Sequence, residues 1–287
     1  MKNSIVFISL LLATSLCFGQ RLETPSLSPF SKASQEVGLA QLSLEYSRPS
    51  AKGRAIFGSL VPYDKIWRTG ANASTKITIN DSAQIAGNWV NAGTYALYTI
   101  PSKEKWTVII HRNTSLRSLA GDAYNSKDDL FRFEVAPITT DHYTETFTLQ
   151  FAWLTTNSVQ LQLLWENTQI NIPIKVDVDT KIAQQMASFL TNADEVPHRT
   201  YFEAAQYYLN NNKSIMEAMA YINEALVKSP ENFRYGLLKA RIQDQAGAHQ
   251  AAMITIEKAN AWAVKAKNDN YIEQTSLFKA YLKDKKN

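Results

Sequence analysis

The sequence predicts an α+β protein: an antiparallel β-sandwich or jelly-roll-like domain followed by an all-helical array. Three observations lead there. From about Leu39 to Val176 apolar and polar residues alternate, which sends successive side chains to opposite faces of a strand. No helical period interrupts those strands, and strands without crossover helices argue against a parallel α/β sheet. From Asp179 the alternation stops, helix formers dominate, and Pro197 and Pro230 are the only prolines left. The expected boundaries are 1–19, 20–176 and 177–287.

The first stretch reads as an export signal. Lys2 precedes an apolar run from Ile5 to Phe18, and Cys17 and Gly19 bracket Phe18 as small residues do at a signal-peptidase site, leaving Gln20 as the mature start. The expected location is periplasmic or extracellular. This run is too short for a stable membrane span, and no later segment reaches roughly 18 uninterrupted apolar residues. Cleavage after Gly19 removes the only cysteine, and with it disulfides, thiolate chemistry and cysteine-based zinc sites.

In the next stretch the clearest strands are Leu42-Leu44-Tyr46, Thr75-Ile77-Ile79, Tyr95-Leu97-Thr99, Trp106-Val108-Ile110, Phe131-Phe133-Val135, Phe147-Leu149-Phe151-Trp153, Val159-Leu161-Leu163 and Ile170-Ile172-Ile174. Turn residues such as Asn91-Ala92-Gly93 and Pro101-Ser102-Lys103 separate them.

The helical stretch contains an internal repeat. Ala218, Met219, Ile222 and Ala225 recur as Ala252, Met253, Ile256 and Ala259 at an offset of 34 residues, and Pro230 closes the first unit. This resembles a pair of tetratricopeptide repeats, whose small residues permit close helix contact, followed by a capping helix from about Asp269 to Lys283. Gly236 and Val264 depart from that pattern, standing where the repeat has a large aromatic and a closing proline. Two units alone are too few to bury a continuous core, so a helix from about Asp179 to Thr191, or the β domain itself, is expected to complete the stack.

Charge narrows the function. Basic residues number 30 against 26 acidic ones, spread evenly over the chain, which does not fit a nucleic-acid binder. One segment stands out, Tyr46 to Thr75, where Arg48, Lys52, Arg54, Lys65 and Arg68 sit among bulky apolar residues with Asp64 as the sole acid. Cations held beside Phe57, Tyr63 and Trp67 require carboxylates, carbonyls or a bound anion. Glu145 is in phase with Phe147 and Leu149, which places a carboxylate on the core face, and Asp129 and Arg132 are candidate partners in the same network. His111 and Arg112 have opposite phases on one strand, so one of them points inward. Trp67, Trp89 and Tyr95 could form a stacking wall for a sugar. Metal-ligand, serine-nucleophile and cofactor motifs do not occur, so no metal or cofactor is expected.

These residues carry a second resemblance. The order RP-x-x-KGR-x-IFG, VP, WRTGAN-x-x-T, AGTY-x-L-x-x-IP, W-x-V-I, D-x-x-R, E-x-F-x-L-x-F and Leu-x-Leu-x-Trp, from about Ser28 to Val176, is similar to the secreted bacterial family called domain of unknown function 2911. The resemblance marks Arg48, Lys52, Gly53, Arg54, Trp67, Arg68, Gly70, Asn72, Thr75, Gly93, Tyr95, Asp129, Arg132 and Glu145 as motif positions. It implies recurring polar positions without naming what they bind. This chain departs from it at His111, where members place Asn, and at Leu119-Ala120-Gly121, where they place a Trp-Gly pair.

The leading functional expectation is an exported binding module. Arg48, Lys52, Arg54, Trp67, Arg68, Asn72, His111, Asp129, Arg132 and Glu145 line its site, and the arginines hold an anionic small molecule or a sugar. One alternative is a carbohydrate-active hydrolase or isomerase using Glu145 and His111. Another is an assembly scaffold holding a protein partner in a helical groove lined by Tyr201, Tyr208 and Arg234.

Overall fold

The computed structural model describes residues 22–119, 123–192 and 196–285; the expected signal and its cleavage site lie outside them. Among the described residues ten strands are followed by six helices, so the expected α+β order holds. The strands are β1 (Phe30–Val37), β2 (Ala40–Ser47), β3 (Thr75–Ile79), β4 (Ala83–Ile85), β5 (Asn88–Val90), β6 (Gly93–Ile100), β7 (Trp106–His111), β8 (Asp129–Val135), β9 (Ile138–Ala152) and β10 (Ser158–Val176). They form a six-stranded sheet in the order β1-β2-β3-β6-β7-β8 and a four-stranded sheet in the order β5-β4-β10-β9. All pairings are antiparallel.

Alternation decides which face of each strand is buried. Leu42, Leu44, Ile77, Ile79, Leu97, Trp106, Val108 and Ile110 of the larger sheet share one core with Phe147, Leu149, Leu161, Leu163, Trp165, Ile170, Ile172 and Ile174 of the smaller. Along β10 the buried residues change from odd to even positions after Trp165. Register irregularities on either side of Glu166, whose φ is +50°, carry the pairing from Leu164–Thr148 through Glu166–Thr144 to Thr168–Thr139, and this break in the ladder lets both halves of β10 face the core. The two strands expected here are one.

Within this core Phe57, Trp67, Trp106, Phe147 and Trp165 form an aromatic box, with Phe57 edge-on to Trp106 at 4.8 Å and Trp67 stacked on Trp165 at 5.8 Å. Two of its rings come from the cationic segment, whose Ala51, Ile56 and Val61 also belong to the core while Leu60 is exposed. Within WRTGAN, Thr75 Oγ1 donates to Thr69 O at 2.5 Å, and the chain passes so close at Gly70 that a Cβ there would lie 3.0 Å from Ser47 O.

The helices are α1 (Val178–Asn192), α2 (His198–Asn210), α3 (Ile215–Lys228), α4 (Phe233–Gln245), α5 (His249–Lys265) and α6 (Asp269–Asp284). Side-chain caps fix the starts of α1, α3, α4 and α6: Asp177 accepts from Thr180 N, Ser214 from Glu217 N, Asn232 from Arg234 N and Tyr235 N, and Asn268 from Tyr271 N. The repeated residues Ala218, Ile222, Ala225, Ala252, Ile256 and Ala259 are all fully buried. They sit where α3 meets α2 and α4 meets α5. The helix α1 links the layers, with Ile182 against the sandwich core and Met186 in the helical core.

Candidate functional site

The four arginines nominated as anion ligands do not converge. Arg48 donates through Nε to Phe147 O at 3.0 Å and through Nη2 to Thr148 Oγ1 at 2.7 Å. Arg54 folds back on its own turn, donating to Ala51 O at 2.9 Å and Ser50 O at 2.8 Å. Arg68 Nη1 donates to Asn72 O at 2.5 Å and to Arg117 O, pinning the segment after β7. Arg132 pairs with Asp129 at 2.6 Å. Each guanidinium is engaged at a separate place, so the expectation of one shared, under-neutralised recess is corrected.

Other nominated residues hold the sandwich loops together. Lys52 is exposed at φ +52°, and its backbone N–H donates to Glu145 Oε1 at 2.7 Å. Glu145 is therefore an exposed cap on that turn and does not face the core, because the 49–52 segment, in place of the opposite sheet, covers this end of β9. Asn72, at φ +61°, ties Ser28 O and Ser47 Oγ together. Trp67 belongs to the aromatic box and donates to Gly70 O at 3.0 Å. Trp89 on β5 is 55% exposed and Tyr95 on β6 donates to Asn91 O, so the three aromatics form no common wall.

Three nominated residues do meet on the outer face of the six-stranded sheet. His111 is the buried member of the 111–112 pair, but it faces away from the inter-sheet core. With Ala96, Tyr98 and Ile109 it lies under the segment after β7. Its Nδ1 lies 3.1 Å from Asn113 N and 3.2 Å from Asn113 O, and its Nε2 lies 3.2 Å from Asn125 O. Asp129 Oδ1 lies 4.0 Å from that Nε2 and accepts from Tyr124 O–H at 2.5 Å, while Oδ2 accepts from Arg132 Nε at 2.7 Å. Burial, reinforced by Asp129, pushes the Tyr124 phenol well above its ordinary pKa. Tyr98 O–H is fully buried and makes no hydrogen bond of ordinary geometry to a described residue, and burial raises its pKa against the opposing influence of nearby Ser74 and Arg68. His111 and Glu145 stand on different sheets, with His111 on the face turned away from the smaller one, so they cannot act together on one reacting atom.

Open clefts lie elsewhere, one of them in the helical region where a groove was expected. A groove of ≈ 950 Å³ runs between α2 and α4 along the α3–α4 turn, with Phe202, Phe233, Tyr235 and Trp262 among its walls and Arg199, Arg234 and Lys265 on its rim. Every residue lining it is helical or in a helix connection, so the sandwich does not fill it. Of the three groove residues expected, Arg234 is there; Tyr201 and Tyr208 instead pack on Tyr221 of α3. A smaller cleft of ≈ 260 Å³ opens at one end of the sandwich beside Phe57, Tyr63 and Trp106.

Two facing antiparallel sheets followed by stacked helical hairpins define the class of protein. Over residues 28–174, more than half of the chain, it matches the family described as a protein of unknown function, DUF2911, and it belongs to that family. No curated protein matches the chain. Among the described residues no helix is long and apolar enough to cross a membrane.

Proposed function

We propose that this chain is an exported interaction protein whose helices hold an extended acidic segment of a partner polypeptide while the sandwich serves as a platform. The observation that carries this reading is the groove between α2 and α4. It combines aromatic walls with Arg199, Arg234 and Lys265, which outnumber the acids Glu203 and Glu231 that also line it. On that rim Arg199 is paired with Glu203 and Lys265 with Glu231, whereas Arg234 rests over the Tyr271 ring at 5.5 Å. Cationic aromatic stacking leaves the guanidinium edge able to donate to an incoming carboxylate. The 34-residue spacing of two helical hairpins further supports a tetratricopeptide-like array, a design that presents extended binding surfaces.

Fluorescence anisotropy with a labelled Asp/Glu-rich peptide containing Phe, and its Lys-substituted counterpart, tests this reading. The acidic peptide is expected to bind, to weaken with added salt, and to lose about tenfold in affinity in Arg234→Glu. Equal binding of both peptides, or of wild type and variant, defeats it.

A further inference from the structure

We propose that the cleft at the end of the sandwich is a second, independent site that takes a single-ring organic carboxylate. Its residues meet beside the Phe57–Trp106 side of the aromatic box. Phe57 and Tyr63 descend from the segment after β2, Lys103 from the β6–β7 connection, Trp106 from the start of β7, and Thr139 and Thr168 face each other on β9 and β10.

The Phe57–Tyr63 loop is held in a fixed shape. Gly58 N donates to Val61 O at 2.9 Å, and Gly58 has φ +86°. The Tyr63 ring occupies the space a Cβ at Gly58 would need, approaching it to 2.5 Å, so only glycine lets this ring lie against the loop. Asp64 N then donates to Pro101 O at 2.9 Å, which fastens the loop to the turn carrying Lys103. The loop carrying the aromatic wall and the backbone of the turn carrying Lys103 are thus fixed relative to each other before any ligand arrives, and preorganisation of this kind lowers the entropic cost of binding.

The lining chemistry selects the ligand. No Asp or Glu lines the cleft, its only formal charge is Lys103, and Ser102, Thr139 and Thr168 add hydroxyl groups. Lys103 is exposed and enters no ion pair with a described residue. An ammonium flanked by hydroxyl donors favours an anion over a cation. The rings of Phe57 and Tyr63 favour a flat or ring-shaped body. At ≈ 260 Å³ the cleft falls just short of the span of about 300–1,000 Å³ usual for drug-sized ligands, which limits the occupant to one ring. An aromatic acid and a sugar acid share this chemistry.

Isothermal titration of the full chain with benzoate and with glucuronate, using benzyl alcohol and glucose as neutral counterparts, tests the assignment. At least one acid is expected to bind, with its neutral counterpart about tenfold weaker and with a similar loss in Lys103→Gln, as expected for one charge-assisted contact. Lys103 is solvent-exposed, so this variant keeps the fold. Benzoate binding alone assigns the aromatic acid, and glucuronate binding alone the sugar acid. Saturation by neither acid, equal binding of the neutral counterparts, or unchanged affinity in Lys103→Gln overturns the proposal. Arg234→Glu should leave these titrations unchanged, so failure of the helical groove and failure of this cleft are separately visible.

Discussion

Gly236 shows how one missing side chain sets a helix contact. A Cβ added there would lie 2.8 Å from the Ala259 Cβ and 2.9 Å from Trp262 Cζ3, so α4 and α5 meet at a distance only glycine allows. Alanine gains up to about 1 kcal/mol of helix propensity but overpacks the contact by about 1–3 kcal/mol. Gly236→Ala is therefore expected to lose about 1 kcal/mol in urea unfolding, and a stabilised variant would mean the helices can part freely. The same scale explains why the arginines misled a reading by residue type. Sequence shows a cation and its side-chain neighbours, but the partners of Arg48, Arg54 and Arg68 include main-chain carbonyls, whose positions depend on tertiary folding. Asp129 and Arg132 stood out as a D-x-x-R motif expected to serve Arg48 and Glu145, whereas in the fold they pair with each other. Tyr124 and Tyr98, which complete the outer-face cluster, had no pattern to announce them.

At the scale of elements, α6 acts as the closing layer of the helical stack. Leu282, Tyr271 and Phe278 cover Leu237, Ala240 and Ile256, which belong to α4 and α5. Repeat arrays depend on such capping because each hairpin buries its apolar face only against a neighbour. A chain ending at Lys267 is expected to lose more helical circular dichroism at 222 nm than the 16 residues of α6 account for, while the sandwich tryptophans keep their buried emission. Loss limited to α6 itself would show that α4 and α5 stand alone. The stack, with its repeated Ala and Ile positions, was readable because helix contact imposes a period on the sequence. Strands were harder. In β1 alternate positions are partly buried, but only Ala33 and Val37 among them supply core hydrophobics, so its sequence carries little apolar alternation. Only three residues make up each of β4 and β5, too few to establish a period. Bulged β10 looked like two strands because a shift of one residue inverts the phase.

For the whole molecule the decisive region is the joint between sheets and helices. Asp179, at the start of α1, accepts from Tyr207 O–H of α2 and from Lys213 Nζ of the α2–α3 turn, both at 2.5 Å. Lys181 of α1 pairs with Asp81 beside β4, Tyr207 packs on the sandwich core, and Thr156 Oγ1 donates to Asn211 Oδ1 at 2.7 Å. The hydrogen bonds from Lys213 and Tyr207 hold the Asp179 carboxyl below the usual carboxylate range. A depressed folded-state pKa contributes stability that is fully present above the unfolded value of about 3.9 and disappears as pH falls through the folded value. Partial exposure of the Lys213–Asp179 pair weakens the charge contribution but leaves its sign unchanged. Wild type should therefore exceed Asp179→Asn in denaturant midpoint at pH 7, and the gap should close as pH falls below the usual carboxylate range and the wild-type carboxyl is protonated. A gap that persists in acid would assign the stabilisation to shape and hydrogen bonding, leaving no role for the charge. If the charge is what holds the joint, acid should also separate the unfolding of the helices, followed by far-ultraviolet circular dichroism, from that of the sandwich, followed by tryptophan emission.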